Sequence, residues 1–254
     1  MSKPVFIVLA MMGMAAHAGD LTLSTGLDYS SGKYGSSSAT DILYLPLTAK
    51  YESGKSTFKA TLPYLRVTAP TGGTIVTVDG NGQVIYSGSG PRTTEEGLGD
   101  MSFSYDYSVF EEPRHGFLVD LIGKFKLATA DEAKGLGSGK NDLSAQVDLY
   151  YLAGAFSPFM TLGYRMPGSP AGLDLRNLWY GTLGLGYRFS RENSAGIMWD
   201  LRQASRVGGK SANEMTLYWV HKLEPDLKLQ IYAVHGFSDA SADRGLGLMI
   251  LKTF

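Results

Sequence analysis

Apolar and polar residues alternate one for one along most of this chain, over segments of about ten residues separated by turns. Period two marks a strand with one apolar and one polar face, and about ten residues is what a tilted strand needs to cross a bilayer. Twelve such segments can be read. The first runs from Asp20 to Ser30 with Leu21, Leu23, Leu27 and Tyr29 on one face. The second carries Leu43, Leu45 and Leu47, the third Phe58, Leu62 and Tyr64, and the fourth Phe103, Tyr105, Tyr107 and Val109. Phe117, Leu121 and Phe125 mark the fifth, Leu143, Val147 and Leu149 the sixth, and Met160, Leu162 and Tyr164 the seventh. Trp179, Leu183, Leu185 and Tyr187 share the face of the eighth, and Ile197, Trp199 and Leu201 that of the ninth. Met215, Leu217 and Trp219, then Leu227, Leu229 and Ile231, then Leu246, Leu248, Ile250 and Phe254 complete the set.

The connections alternate in length. Tight turns are expected near Ser53-Gly54, Glu112-Pro113, Phe156-Ser157-Pro158, Arg191-Glu192-Asn193 and Pro225-Asp226, and long polar loops over 31–40, 69–97, 129–142, 167–176, 206–212 and 236–243. Short turns on one side and long loops on the other predict an all-β fold, a single transmembrane antiparallel up-and-down barrel of twelve strands with its short side periplasmic. A soluble sandwich would bury its apolar face and show no such asymmetry. Within 69–97, Thr74 to Val78, the turn Asp79-Gly80-Asn81-Gly82, and Gln83 to Ser87 form a strong hairpin signal. Its arms are too short to span a bilayer. A surface flap is expected, with a lid over the mouth as the alternative.

The ends of the chain agree with an exported protein. Lys3, the apolar run Val5 to Met14 and Ala16-His17-Ala18 form the three parts of a secretory signal peptide over residues 1–18, leaving a barrel over 19–254. That apolar run is too short for a membrane anchor. The first strand then starts almost at once, so no plug domain is expected, which argues against energy-coupled uptake. A terminal Phe on an amphipathic strand resembles the signature by which bacterial outer-membrane barrels are recognised by the barrel-assembly machinery; Lys252 departs from it, standing where an apolar residue is usual. Cysteine is absent, which excludes a disulfide-stapled secreted scaffold. The net charge of −1 is no footprint for nucleic acid.

If the apolar parity faces lipid and lipopolysaccharide, the opposite parity lines the lumen. It holds Asp106, Asp120, Asp148 and Asp200 with Lys50, Lys59, Lys124, Lys126, Arg165, Arg188, Arg202, Lys222 and Lys228, the candidate pore-lining residues. Folding the fifth and sixth strands about residue 136 would set Lys124 opposite Asp148, an attractive cross-strand pair. A turn centred on Pro225 sets Lys222 opposite Lys228. With Lys50, Lys59 and Arg188 at the same end, a basic periplasmic mouth with anion preference is expected, unless Glu224 and Asp226 neutralise the lysines from the turn.

Catalytic machinery is not legible. Outer-membrane phospholipase A places Ser and His two apart on one strand, whereas Trp219 and Leu223 flank His221 at that spacing, and Ala233 and Phe237 flank His235. The mapped acids are spread over several strands without a His at the extracellular rim, as an aspartate-based barrel protease would need. No metal-ligand spacing or cofactor motif stands out. The glycines of Gly181 to Tyr187 lie within a strand, where they ease close packing and bending rather than cradle a nucleotide. No enzyme, cofactor or metal is expected.

Three stretches, Gly97-Leu98-Gly99-Asp100 leading into Met101 to Tyr107, Gly137-Ser138-Gly139-Lys140-Asn141-Asp142, and Leu178-Trp179-Tyr180-Gly181 to Phe189, together resemble the family of outer-membrane transporters linked to meta-cleavage phenol degradation. The resemblance implies passage of a small, often aromatic, solute across the outer membrane and carries over no site residues. Passive transport of such a solute is therefore the expected function. A channel for acidic sugars or nucleosides, and a closed barrel acting as a surface-binding or structural protein, are the alternatives.

Overall fold

Leu183, Leu185 and Tyr187 stand on the outside of the wall, 56%, 41% and 43% exposed, while Thr182, next to Leu183, is buried. This parity holds around the molecule. The computed structural model describes residues 19–72, 74–78, 82–112 and 115–254. Its strands are β1 (Asp20–Gly32), β2 (Thr40–Ser53), β3 (Ser56–Pro70), β4 (Ile75–Val78), β5 (Gly82–Tyr86), β6 (Arg92–Leu98), β7 (Met101–Glu112) and β8 (Phe117–Leu127). They continue with β9 (Asp142–Tyr151), β10 (Phe156–Pro167), β11 (Leu178–Arg188), β12 (Asn193–Arg202), β13 (Ala212–Glu224), β14 (Leu227–Gly236) and β15 (Arg244–Thr253). All but β4 and β5 belong to one antiparallel sheet, which closes because β1 pairs with both β2 and β15 while β2 also pairs with β3.

Thirteen strands make twelve staves because β6 and β7 share one partner. β6 pairs with the upper part of β3, Tyr64 to Pro70, and β7 with the lower part, Ser56 to Thr61. The break falls at Gly99-Asp100, where the Gly99 N–H donates to the Pro63 carbonyl (2.9 Å). Pro63 in turn faces Pro46 directly. Neither proline has an N–H to offer a ladder, and the ladders on their far sides skip at this height: β1–β2 between Thr25↔Leu47 and Asp28↔Tyr44, and β3–β6/β7 between Tyr64↔Leu98 and Thr61↔Ser102.

Four local expectations change. Residues 92–98 are strand rather than loop: β3 runs on to Pro70, and the polar run Arg92-Thr93-Thr94-Glu95-Glu96 pairs with its upper part. The β9–β10 turn lies before Phe156, where Ala153 and Phe156 exchange hydrogen bonds (2.8 and 3.1 Å), so Phe156 to Pro158 already belong to a strand. A bulge between Ser108 and Phe110 turns both Val109 and Phe110 outward. Finally, Lys124 faces Ser144, not Asp148, and Asp148 faces Asp120. The register follows the strand contacts. The loop that joins the two strands packs Leu136 inward, so its midpoint is no guide.

The β4–β5 hairpin forms where expected, although residues 79–81 of its turn lie outside the described residues. It is not a free flap. Val76 is fully buried against Ile42, Tyr44, Leu65 and Val67 of the lumen face and against Leu136 of the β8–β9 loop. The Val76 N–H donates to the Gly135 carbonyl (2.9 Å), tying the hairpin to that loop. Val76 finds in the mouth an apolar surface that removes it from water.

Candidate functional site

The lumen face divides into three zones along the barrel axis. At the extracellular end lies a buried ionic network. Lys126 Nζ reaches Asp100 Oδ2 (2.5 Å), Asp142 Oδ2 (3.7 Å), Ser138 Oγ (3.3 Å) and the Lys140 carbonyl (2.9 Å), while Arg165 pairs with Asp142. The carboxylates also accept from the backbone: Thr129 and Ala130 donate to Asp100 Oδ1 (3.1 and 3.0 Å), and Gly168 donates to Asp142 Oδ1 (3.0 Å). Two cations and two anions thus anchor the β8–β9 loop, which carries Leu136 beneath the hairpin. A Cβ on Gly137 would stand 2.9 Å from the Asp100 carboxylate, and Gly139 sits at a φ of +63°. Glycine is needed at both. Asp100 and Asp142 were not among the expected site residues, although they end two of the glycine-rich stretches singled out in the sequence.

The middle zone is aromatic. Tyr180 lies across Gly163, Phe159 across Gly184, Tyr218 across Gly196 and Tyr232 across Gly247, and each pair is directly opposed in the register. A Cβ on any of these glycines would meet the facing side chain. The missing side chain therefore lets the ring lie along the wall, a cross-strand pairing of aromatic with glycine. Tyr150, Phe159, Met198, Tyr218, Val220, Tyr232, Val234, Met249 and Leu251 form one continuous buried cluster here. Sequence parity assigns these positions to the lumen face too, beside the charged residues.

Polar groups punctuate that surface. Asp148 accepts from Thr161 (2.7 Å), from Gln146 Nε2 (2.8 and 2.9 Å) and from Tyr150 (3.1 Å). Lys124 donates to Gln146, so the expected Lys124–Asp148 attraction is relayed through an amide, and its ammonium lies 5.8 Å from the Tyr180 ring centroid. Asp120 accepts from Ser108 (2.6 Å), Asp200 from Thr182 (2.6 Å) and Asp28 from Tyr232 (2.5 Å). Asp106 shares the lumen face of β7, opposite Ile122, and Arg202 stands at the extracellular end of β12.

The periplasmic zone is basic. Lys222 is paired directly with Lys228, as the turn at Pro225 implied, and Lys50 directly with Lys59. Lys50 is bound to Glu52 (2.6 Å), and Glu52 also attracts Lys228 against the like charges of Lys50 and Lys222. The turn acids are engaged elsewhere. Lys252 takes Asp226 (2.6 Å) and reaches Glu224 (3.7 Å), and its hydrogen bond holds the exposed Asp226 carboxyl below the ordinary carboxylate range. The cation that departs from the apolar tail of β15 thus has its own partners. Arg188 is exposed at the end of β11, and a cavity of about 650 Å³ opens beside it.

The histidines sit elsewhere. His221 bonds Asn193 (2.9 Å) and stacks on Trp219, and His235 meets Phe237 edge-on. No group of three or more His, Asp or Glu able to hold a metal occurs among the described residues.

Comparison with known proteins follows the same lines. The family model described as "Putative MetA-pathway of phenol degradation" matches residues 28–251. No curated protein matches the sequence. Among solved structures, the COG4313 outer membrane channel from Pseudomonas putida F1 is similar with a TM-score of 0.71 at 11% identity, covering 94% of this chain and 97% of that one. The NanC porin gives a TM-score of 0.56 at 10% identity (91% and 98% covered), and the KdgM porin 0.55 at 8% (92% and 99%). These likenesses concern the fold, a barrel of the outer membrane.

Proposed function

This chain belongs to the phenol-degradation family whose model spans most of its length, and on that premise we propose that its barrel conducts small aromatic or apolar solutes passively across the outer membrane. The observation that carries the reading is the aromatic band. Four lumen rings lie across from glycines of neighbouring strands and, each no more than 7% exposed, give the inside of the wall an apolar band. Such a band suits planar solutes, because stacked aromatic contacts favour them over hydrated ones. The hairpin and the β8–β9 loop, packed together over the β2–β3 side of the mouth, act as a lid. Acidic sugars fit the basic periplasmic end but not this band, and no enzymatic role is proposed.

The direct test is uptake of radiolabelled phenol by Gram-negative cells that lack their general porins. Expression of this chain should raise the initial rate, without an energy source and without saturation at low concentration. An unchanged rate with the barrel correctly inserted would overturn the reading.

A further inference from the structure

The lipid face of the wall is not evenly filled. Across β2, β3, β7 and β8 a groove of about 530 Å³ opens on the outside of the barrel. Two rows of directly opposed residues shape it. In the row nearer the extracellular side Ala49 faces Ala60 and Ala60 faces Phe103; in the next row Phe58 faces Tyr105 and Tyr105 faces Gly123. The small residues lie low beside bulky neighbours, so the furrow runs obliquely from Ala49 and Ala60, between the rings of Phe103 and Tyr105, to Gly123. A Cβ on Gly123 would meet no atom within 4 Å, unlike those on the glycines that face lumen rings. One rim of the furrow is held in place: the Phe58 and Tyr105 ring centroids are 4.9 Å apart, and the Tyr105 hydroxyl is 3.0 Å from Ser56 Oγ.

A second observation concerns the turn beneath the groove. Lys55 lies in the tight β2–β3 turn on the periplasmic side, three residues from Phe58, or about 10 Å along a strand. Tyr51, Phe58 and Tyr105 are exposed outward just above it, at the height where aromatic side chains mark the membrane–water interface. Lys55 is exposed, and among the described residues it takes part in no ion pair. The acid nearest to it in sequence, Glu52, is bound to Lys50 (2.6 Å). The Ser108 backbone N–H donates to the Lys55 carbonyl (2.9 Å), which ties the turn to β7 and fixes where the side chain starts. A cation at headgroup level and an apolar furrow leading from it into the hydrocarbon match the two ends of one amphiphile.

We propose that this groove binds one phospholipid of the inner leaflet, an acyl chain lying over Ala49, Ala60 and Gly123 and the headgroup phosphate meeting Lys55. Lipid tails are as apolar as leucine, so hydrophobicity alone gives a chain no preference for one part of the wall. Concavity does. A chain in a furrow touches protein on its floor and both sides, and dispersion attraction sums over those contacts. The lysine selects the headgroup, because it binds phosphate as a point charge. This site lies on the opposite face of the wall from the aromatic band and does not rest on the channel reading.

Native mass spectrometry of the mature barrel, released from non-ionic detergent, tests this. The probe is dipalmitoyl phosphatidylglycerol, and the control is dipalmitoylglycerol, which has the same chains and no phosphate. One phosphatidylglycerol should be retained per barrel, at least fivefold more than the control at equal concentration. Gly123→Phe/Ala60→Phe, which fills the furrow with side chains that lipid tolerates, should lower that retention at least fivefold. Lys55→Gln, in an exposed turn where folding does not depend on it, should bring phosphatidylglycerol down to the level of the control. Leu217→Phe, on the lipid face of β13, should change nothing. Heat-modifiability checks that each variant is folded. No lipid retained by the parent barrel, equal retention of the two lipids, or unaltered retention in the filled groove or in Lys55→Gln would overturn the site. A dimer present in the parent and lost in Gly123→Phe/Ala60→Phe would overturn it too, giving the groove to a second copy of the chain.

Discussion

Phe159 of β10 and Gly184 of β11 stand directly opposite one another on the lumen face, and the ring of Phe159 occupies the space a side chain at 184 would need. The same relationship joins Tyr232 to Gly247 four staves further round. The glycine sets how far the ring projects, so it acts on pore width as well as on stability.

Gly184→Val should therefore push Phe159 away from the wall. Overpacking of this kind costs about 1–3 kcal/mol, measurable by denaturant-driven unfolding in lipid. Single-channel conductance should fall in Gly184→Val and recover in Gly184→Val/Phe159→Ala. Conductance unaffected by either change would mean the rings do not bound the path.

The lid makes a contrary prediction. Deleting residues 74–87 removes a locally closed hairpin and adds little closure entropy, so the barrel should remain inserted and heat-modifiable while conductance rises. Val76→Asp should act in the same direction, because a carboxylate cannot stay unpaired among Ile42, Leu65 and Leu136. Loss of folding in the deletion would show the hairpin to be part of the wall's stability rather than a cover.

Arg165→Met leaves Asp142 in a buried site with, among the described residues, the more distant Lys126 to balance it. Removing one partner of a buried pair costs about 3–5 kcal/mol. The β8–β9 loop should also lose its anchor, so amide exchange at Thr129 and Ala130, which donate to Asp100, should accelerate beyond that at β12. Uniform exchange would indicate that the network does not hold the loop.

The two faces of the wall can be compared by denaturant-driven unfolding in lipid. Leu185→Arg, on the lipid face, should cost about 2–4 kcal/mol. On the lumen face, Thr182→Val removes the hydrogen bond to the Asp200 carboxylate, worth about 1.5–3 kcal/mol. Thr182→Arg, which an open polar lumen would tolerate, is expected to be disruptive as well, since Thr182 is only 3% exposed.

The alternation of Leu183, Leu185 and Tyr187 with Thr182, Gly184 and Gly186 was by itself enough to determine which face meets lipid, because a side-chain period of two admits one answer per strand once the environment is fixed. The long-short rhythm of the connections likewise determined twelve staves, and the prolyl turn at 225 determined that Lys222 meets Lys228, since a tight turn sets the register of its own hairpin. Only the tertiary structure decided the pairing of Asp120 with Asp148, because the loop between those strands is long enough to leave their register to contacts elsewhere. It alone decided that residues 92–98 continue a stave, since their partner is the far end of β3 rather than a neighbour in sequence. The same holds for the gathering of Asp100, Lys126, Asp142 and Arg165, which come from three strands and the break between β6 and β7, and for the rings laid against glycines, where each residue's meaning depends on the strand beside it. Alternation is a local property and can be read along the chain; the lumen is made of contacts between strands, which closure of the barrel creates.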